Sequence, residues 1–118
     1  MSGVVWSIHL SVAAERDYRD ILGWTLEHFG RMQVQSYANT LTYALKSLIA
    51  GPSIAGVKQR VELGADIYSL HVARSGRKGR HFVIFRVSTS QNENTIEVLR
   101  ILHDSMDLER HLHPTDSD

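Results

Sequence analysis

The run from Ile96 to Leu102 constrains this chain more than any other stretch, because it is apolar at both odd and even positions. Ile96, Val98, Leu99, Ile101 and Leu102 are interrupted only by Glu97 and Arg100. A strand with one wet face alternates; one that is apolar on both faces suits the interior of a sheet covered above and below. The apolar pattern stops at His103-Asp104-Ser105, where Asp104 or Ser105 can cap a short helix carrying Met106, Leu108 and Leu112. An arginine, a histidine and an acidic cap are thus delivered to one edge of the domain, where a chain leaving a sheet commonly holds its functional groups.

Such a strand needs a covering layer, and residues 11–50 have the periodicity to supply one. Ser11 reads as a helix N-cap, with Glu15 and Asp17 in the first turns, where the helix dipole favours acids. Ala14, Tyr18, Ile21, Leu22, Thr25 and Phe29 form one stripe at helical spacing, and Gly30 fits a C-terminal stop. Trp24 lies off that stripe, so it either packs on a neighbouring helix or is kept for a partner. A second helix is predicted from about Met32 to Ala50, with a seam of Val34, Ala38, Leu41, Leu45 and Leu48. Gly51-Pro52 ends it, through a left-handed position and a residue that cannot continue a helix. The two segments read as an antiparallel helical hairpin with almost no loop.

The remaining elements are strands. Val5 to Leu10 alternates, with Trp6, Ile8 and Leu10 on one face. Residues 52–64 read as a connector. Ile67–Val72 and His81–Val87 alternate again and join the Ile96 run through two polar turns, Arg74–Arg80 and Gln91–Asn94, as an antiparallel meander. The expected fold is therefore α+β: an N-terminal strand, a helical hairpin packed on a mostly antiparallel sheet, and a short C-terminal helix. Residues 1–118 make a single domain, with 113–118 expected to fray. The sheet face opposite the hairpin needs its own cover, from the terminal helix, a partner or water.

Composition removes several classes of function. The chain has no cysteine, which excludes disulfides, thiol catalysis and cysteine-bound zinc. No apolar run approaches the roughly 20 residues of a membrane span, and the first residues lack a signal-peptide pattern, so a cytoplasmic protein with no membrane partner is expected. The net charge is zero, yet unevenly spread. Residues 51–100 carry eight basic groups (Lys58, Arg60, Arg74, Arg77, Lys78, Arg80, Arg86, Arg100) against four acids, whereas the segment from 101 has five acids and one arginine.

Three chemistries bear on this pattern. His111 and His113 with Asp107 have ligand-like spacing, but they fall in a short helix and a tail with no fixed surroundings, so no metal and no cofactor are expected. The turn Arg74-Ser-Gly-Arg-Lys-Gly-Arg80 lacks the ending of a phosphate-binding loop and has no interleaved aromatics for base stacking, so direct nucleic-acid binding is not expected. Metal-free RNA cleavage needs a base, an acid and cations, and Arg80, His81, Arg86, Arg100 and His103 on adjacent strands could converge to supply them. Against this, Arg86 and Arg100 can simply pair with acids such as Glu97 while the histidines fill the sheet rim.

Three blocks together resemble the ParE/RelE toxin superfamily. The first runs from Ser11 and Ala14 through Asp17, Tyr18, Asp20 and Ile21 to Trp24. The second is Leu48, Gly51, Pro52 and Gly56, and the third Glu97, Arg100 and His103 followed by Asp107, Arg110 and Leu112. The likeness covers about residues 5–112, and the third block is similar to the ParE branch. It implies the toxin half of a type II toxin–antitoxin pair, acting without catalysis on DNA gyrase if ParE-like, or as a ribosome-dependent mRNA endonuclease if RelE-like. The RelE branch commonly uses a tyrosine or a His-Arg pair near the end of the last strand. Here no tyrosine follows Tyr68, and His103 precedes Asp104, which favours the gyrase reading. The resemblance further implies a cognate antitoxin wrapped on the hairpin in a hetero-oligomer, with Trp24, Tyr18 and Arg86 as its contact candidates. Arg74, Arg77, Lys78, Arg80, Arg100, His103 and Met106 are the candidates for contact with the target.

Overall fold

The structure, a computed structural model, describes residues 5–90 and 93–111. Strand β1 (Ser7–Leu10) leads into helices α1 (Val12–Phe29) and α2 (Arg31–Ser47), and a 3₁₀ turn over Leu48–Ala50 extends α2. Strands β2 (Lys58–Gln59), β3 (Ile67–His71), β4 (His81–Ser90) and β5 (Glu93–His103) follow, then α3 (Leu108–His111). The sheet order is β1-β5-β4-β3-β2, with β1 parallel to β5 and all other neighbours antiparallel. The two-residue β2, inside the segment read as a connector, is too short to show a period. The meander and the hairpin are as expected.

Helix α1 starts where the sequence signals it: Ser11 Oγ accepts the Ala14 N–H at 3.0 Å. Gly30, at φ 89°, ends α1 and starts α2 with no intervening loop. At the other end of the hairpin, Gly51 has φ 107°, and a Cβ there would lie 2.8 Å from Trp6 Nε1. Only glycine allows both that turn and the contact that seats β1.

The hairpin covers one face of the sheet. Ala14, Leu41, Ala44 and Leu48 meet Leu70, Val72, Val83, Phe85, Ile96, Val98 and Ile101 in one core. Each large side chain fully buried there contributes about 1.5–3 kcal/mol. The buried seam of α2 is Leu41, Ala44 and Leu48, while Val34, Ala38 and Leu45 of the predicted seam are half-buried at its flank. Phe29 departs further: predicted on the buried stripe, it is 63% exposed, because the end of α1 overhangs the sheet.

A smaller core lies on the opposite face, where Ile67, Ile84, Leu99 and Leu102 pack with Leu63, Phe82 and Leu108. The cover expected for this face thus comes from the loop before β3 and from α3. Asp107, rather than Asp104 or Ser105, caps α3, its Oδ1 accepting the Glu109 N–H at 3.2 Å. Leu112 and His113 lie outside the described residues.

One irregularity positions the functional end of the sheet. Ile84 faces Arg100 and Phe85 faces Val98, so Leu99 is an extra residue in β5, a β-bulge. Before the bulge Ile96 and Val98 face the hairpin; after it Ile101 does, and His103 pairs with His81. Strict alternation from Val98 would have placed Ile101 and His103 on the far face.

The bulged stretch of β5 also runs beyond the end of β1, whose last pair is Leu10 with Val98. Helix α1 serves that open edge in place of a strand. The Ser11 N–H donates to Val98 O, Ser11 Oγ donates to Leu99 O, and the Ile101 N–H donates to Asp17 Oδ2. Arg100 closes on the same carboxylate through Nε at 2.8 Å and Nη2 at 3.1 Å.

Candidate functional site

Where α1 overhangs the sheet, the hairpin and the β3–β4 turn enclose a groove of about 930 Å³. One wall is aromatic and apolar, from Ile21, Trp24 and Phe29 of α1, and Met106 closes the end past β5. Arg77, Lys78 and Arg80 line the side formed by the turn, and among the described residues Asp20 is the only acid lining the groove. The aromatics missing from the basic turn in sequence are therefore supplied in space by α1. Trp24 is 54% exposed, with His28 stacked on its ring at 4.0 Å and Phe29 edge-on at 5.7 Å.

The floor holds a hydrogen-bonded cluster. Tyr37 of α2 lies 2.6 Å from His81 Nδ1, and its Oη accepts the Arg80 N–H at 3.1 Å. That approach requires Gly79, where a Cβ would stand 3.0 Å from Tyr37 Oη and 2.5 Å from Val72 Cγ2. His81 and His103 pack edge to face at 5.2 Å. Just beyond, Asp104 accepts from His71 Nε2 at 2.9 Å and from Arg80 Nε at 3.3 Å, and its own N–H donates to Arg80 O.

The hydrogen bonds determine where the ring protons sit. The Ala73 N–H donates to His71 Nδ1 and the Ser105 N–H to His103 Nδ1, so both Nδ1 atoms are acceptors. The Tyr37 hydroxyl accepts from Arg80, so donating its own proton to His81 Nδ1 satisfies both of its functions. In its neutral form each of the three imidazoles then carries its hydrogen on Nε2.

Burial, followed by the neighbouring His103, lowers the His81 pKa from 6.5 to about 4. The hydrogen bond from His71 is the main cause that holds the Asp104 carboxyl below its ordinary range. Burial raises the Tyr37 phenol. A neutral His81 beside a cation such as Arg80 is a proton acceptor or a hydrogen-bond donor, and is not itself a source of charge.

Of the residues singled out from sequence for RNA cleavage, Arg80, His81 and His103 come together here. Arg86 and Arg100 do not join them, which corrects the five-residue convergence. Arg86 reaches Asp66 and Glu97 at 3.6 and 3.7 Å, and Arg100 is held by Asp17. Tyr68 stacks with Phe85 at 5.8 Å, away from the groove lining. Of the remaining candidates, Trp24 lines the groove, whereas Tyr18 borders a separate shallow depression with Leu10 and Leu45. Arg77 lies over the Tyr43 ring at 4.7 Å. Arg74 has two buried guanidinium nitrogens, Nε and Nη1, with no hydrogen-bond partner among the described residues. Tyr37 and His71 escaped the sequence reading as site residues, since nothing local in the sequence links Tyr37 to a histidine 44 positions away, and Asp104 was read there only as an acidic cap. Among the described residues no group of three or more His, Cys, Asp or Glu could hold a metal ion, and no helix is long and apolar enough to cross a membrane.

The family model described as "ParE toxin of type II toxin-antitoxin system, parDE" matches residues 8–108. The chain belongs to the ParE toxin family. Toxin ParE1 of Mycobacterium tuberculosis is 30% identical over 103 residues, which span 87% of this chain and 94% of that protein. Among solved structures, the chromosomal ParDE toxin–antitoxin system of P. aeruginosa aligns with a TM-score of 0.58 at 17% identity, covering 84% of this chain and 96% of that one. The RelBE2 toxin–antitoxin complex of Mycobacterium tuberculosis aligns with a TM-score of 0.54 at 21% identity, covering 85% and 99%. At those identities both structures speak for the ParE/RelE fold alone.

Proposed function

We propose that this ParE-family toxin acts by binding DNA gyrase and is held silent by a cognate antitoxin seated in the groove. The observation that carries the second half is the pairing of an exposed apolar wall, Trp24, Phe29 and Met106, with the basic side formed by Arg77, Lys78 and Arg80. An amphipathic acidic segment matches both. The gyrase half rests on membership of the ParE family, and is supported by Arg86 and Arg100 being committed to ion pairs and not to a reacting centre.

A second reading, mRNA cleavage on the ribosome, is favoured by one observation: His81 lies between Tyr37 and His103, beside Arg80. Two assays on the same purified chain separate the readings. Under the first, the toxin inhibits gyrase supercoiling and traps cleavage complexes, translating ribosomes keep their message intact, and added antitoxin restores supercoiling. Cut message with unaffected gyrase would refute the first reading and establish the second.

A further inference from the structure

We propose that the groove is a binding site for a free nucleoside monophosphate, with the base against the Trp24–Phe29 wall and the phosphate between Arg80 and the Nε2–H groups of His81 and His103. This goes beyond the toxin's macromolecular target, and it stands or falls independently of whether that target is gyrase.

Three independent features of the site meet in one cavity. The first is a stacking surface. His28 backs the Trp24 ring but does not itself line the groove, whereas Trp24 does. A flat ring with one side already packed is a platform with little rotamer entropy left to lose, and bases of any sequence stack on such platforms.

The second is a pair of imidazole donors held in place. The Nδ1 atoms of His81 and His103 are occupied by Tyr37 and by Ser105, and neither Nε2 has a partner among the described residues. The two rings are 5.2 Å apart and both line the groove. Two imidazoles whose ring centroids lie this close can both turn an N–H towards the oxygens of one phosphate.

The third is the charge at the mouth. Arg80 keeps 70% of its side chain exposed despite its contact with Asp104, and Arg77 and Lys78 stand in the same wall. A dianionic phosphate meets three cations there, against the carboxylate of Asp20 in the lining and that of Asp104, which holds Arg80 from behind. The groove, about 930 Å³, lies within the volume range of small-molecule sites.

The test is calorimetric and fluorescence titration of the full chain with AMP, adenosine and inorganic phosphate. AMP should bind one per chain and quench the indole emission, with adenosine and phosphate each at least about tenfold weaker, as expected if both halves of the ligand contribute. Trp24→Ala and Arg80→Ala should each weaken AMP about tenfold, the loss of one stacked base or one charge-assisted contact. Both side chains are more than half exposed, so the variants should fold, which circular dichroism checks. Arg86→Ala, outside the groove, should bind AMP as the parent does. AMP binding no tighter than phosphate, or unchanged by both Trp24→Ala and Arg80→Ala, overturns the proposal. So does tight binding of single-stranded RNA without measurable binding of AMP.

Discussion

Replacing Asp17 tests the claim that a helix side chain stands in for a missing strand at the edge of β5. Its carboxylate accepts from Arg100 Nε, Arg100 Nη2 and the Ile101 N–H at 2.8, 3.1 and 2.9 Å, with side-chain exposures of 14% for Asp17 and 21% for Arg100. Breaking one partner of a buried ion pair costs about 3–5 kcal/mol, and leaving a backbone N–H unsatisfied about 1–3 kcal/mol. Water reaches part of this site, so a figure of about 3 kcal/mol for Asp17→Ala is the reasonable expectation. With about 2.1 cal/mol/K of unfolding entropy per residue, a chain of 118 residues loses about 4 °C of Tm per kcal/mol, or about 12 °C. Asp17→Asn keeps one oxygen for the Ile101 N–H and should cost about half as much. The assay is urea unfolding of both variants, of Arg100→Met and of the double mutant. The cycle should return about 1–3 kcal/mol of coupling between the two side chains. A loss below about 0.5 kcal/mol for Asp17→Ala, or additive single mutants, would show that the edge is held by something else. The same geometry predicts that Arg100→Ala weakens toxicity and antitoxin binding together, since the side chain supports the fold.

Further tests address the groove and the turn at Gly51. An unfolded chain takes up a proton at its histidines near pH 6.5, whereas folded His81 resists until about pH 4. Its contribution, up to about 3 kcal/mol before solvent screening, is present above pH 6.5 and lost as the pH falls towards 4. His81→Gln should flatten the stability curve across that window, while the loss tied to Asp104, whose carboxyl is depressed, should begin only below about 4 and persist. Tyr37→Phe strips the Arg80 N–H and His81 Nδ1 of their partner and should cost about 1–2 kcal/mol in thermal unfolding, with a shifted His81 imidazole resonance as a second readout. Gly51→Ala places a methyl 2.8 Å from Trp6 Nε1 at a positive φ, and a loss of about 1–3 kcal/mol with a change in Trp6 fluorescence should follow.

Much of the fold was legible from local pattern. Ser11, Gly30 and Gly51 mark the helix ends because capping and positive φ depend on a residue and its near neighbours. The hairpin and the three-stranded meander followed from period and turn composition. Phe29 misled because periodicity reports which face of a helix a residue occupies, and not whether the sheet extends beneath it. For the site, His81, His103 and Arg80 were visible as residue types near strand ends, and Arg77 and Lys78 as charges in a turn. Tyr37 was invisible, because a tyrosine on an amphipathic helix looks the same whether its hydroxyl meets water or a buried imidazole.

The sequence by itself determined the elements, their order, the apolar demand of the Ile96–Leu102 run and the absence of thiol chemistry, all of which are local or compositional. Tertiary structure alone decided which side chains share the groove. The bulge at Leu99 turns His103 to the face of His81, and the contacts on the bulged stretch are non-local: Ser11 and Asp17 bind the backbone of β5 from the start of a helix more than 80 positions earlier. A shift of one residue reverses every side chain beyond it, so a bulge that no strand-by-strand reading contains decides whether His103 joins His81 in the groove or lies on the opposite face.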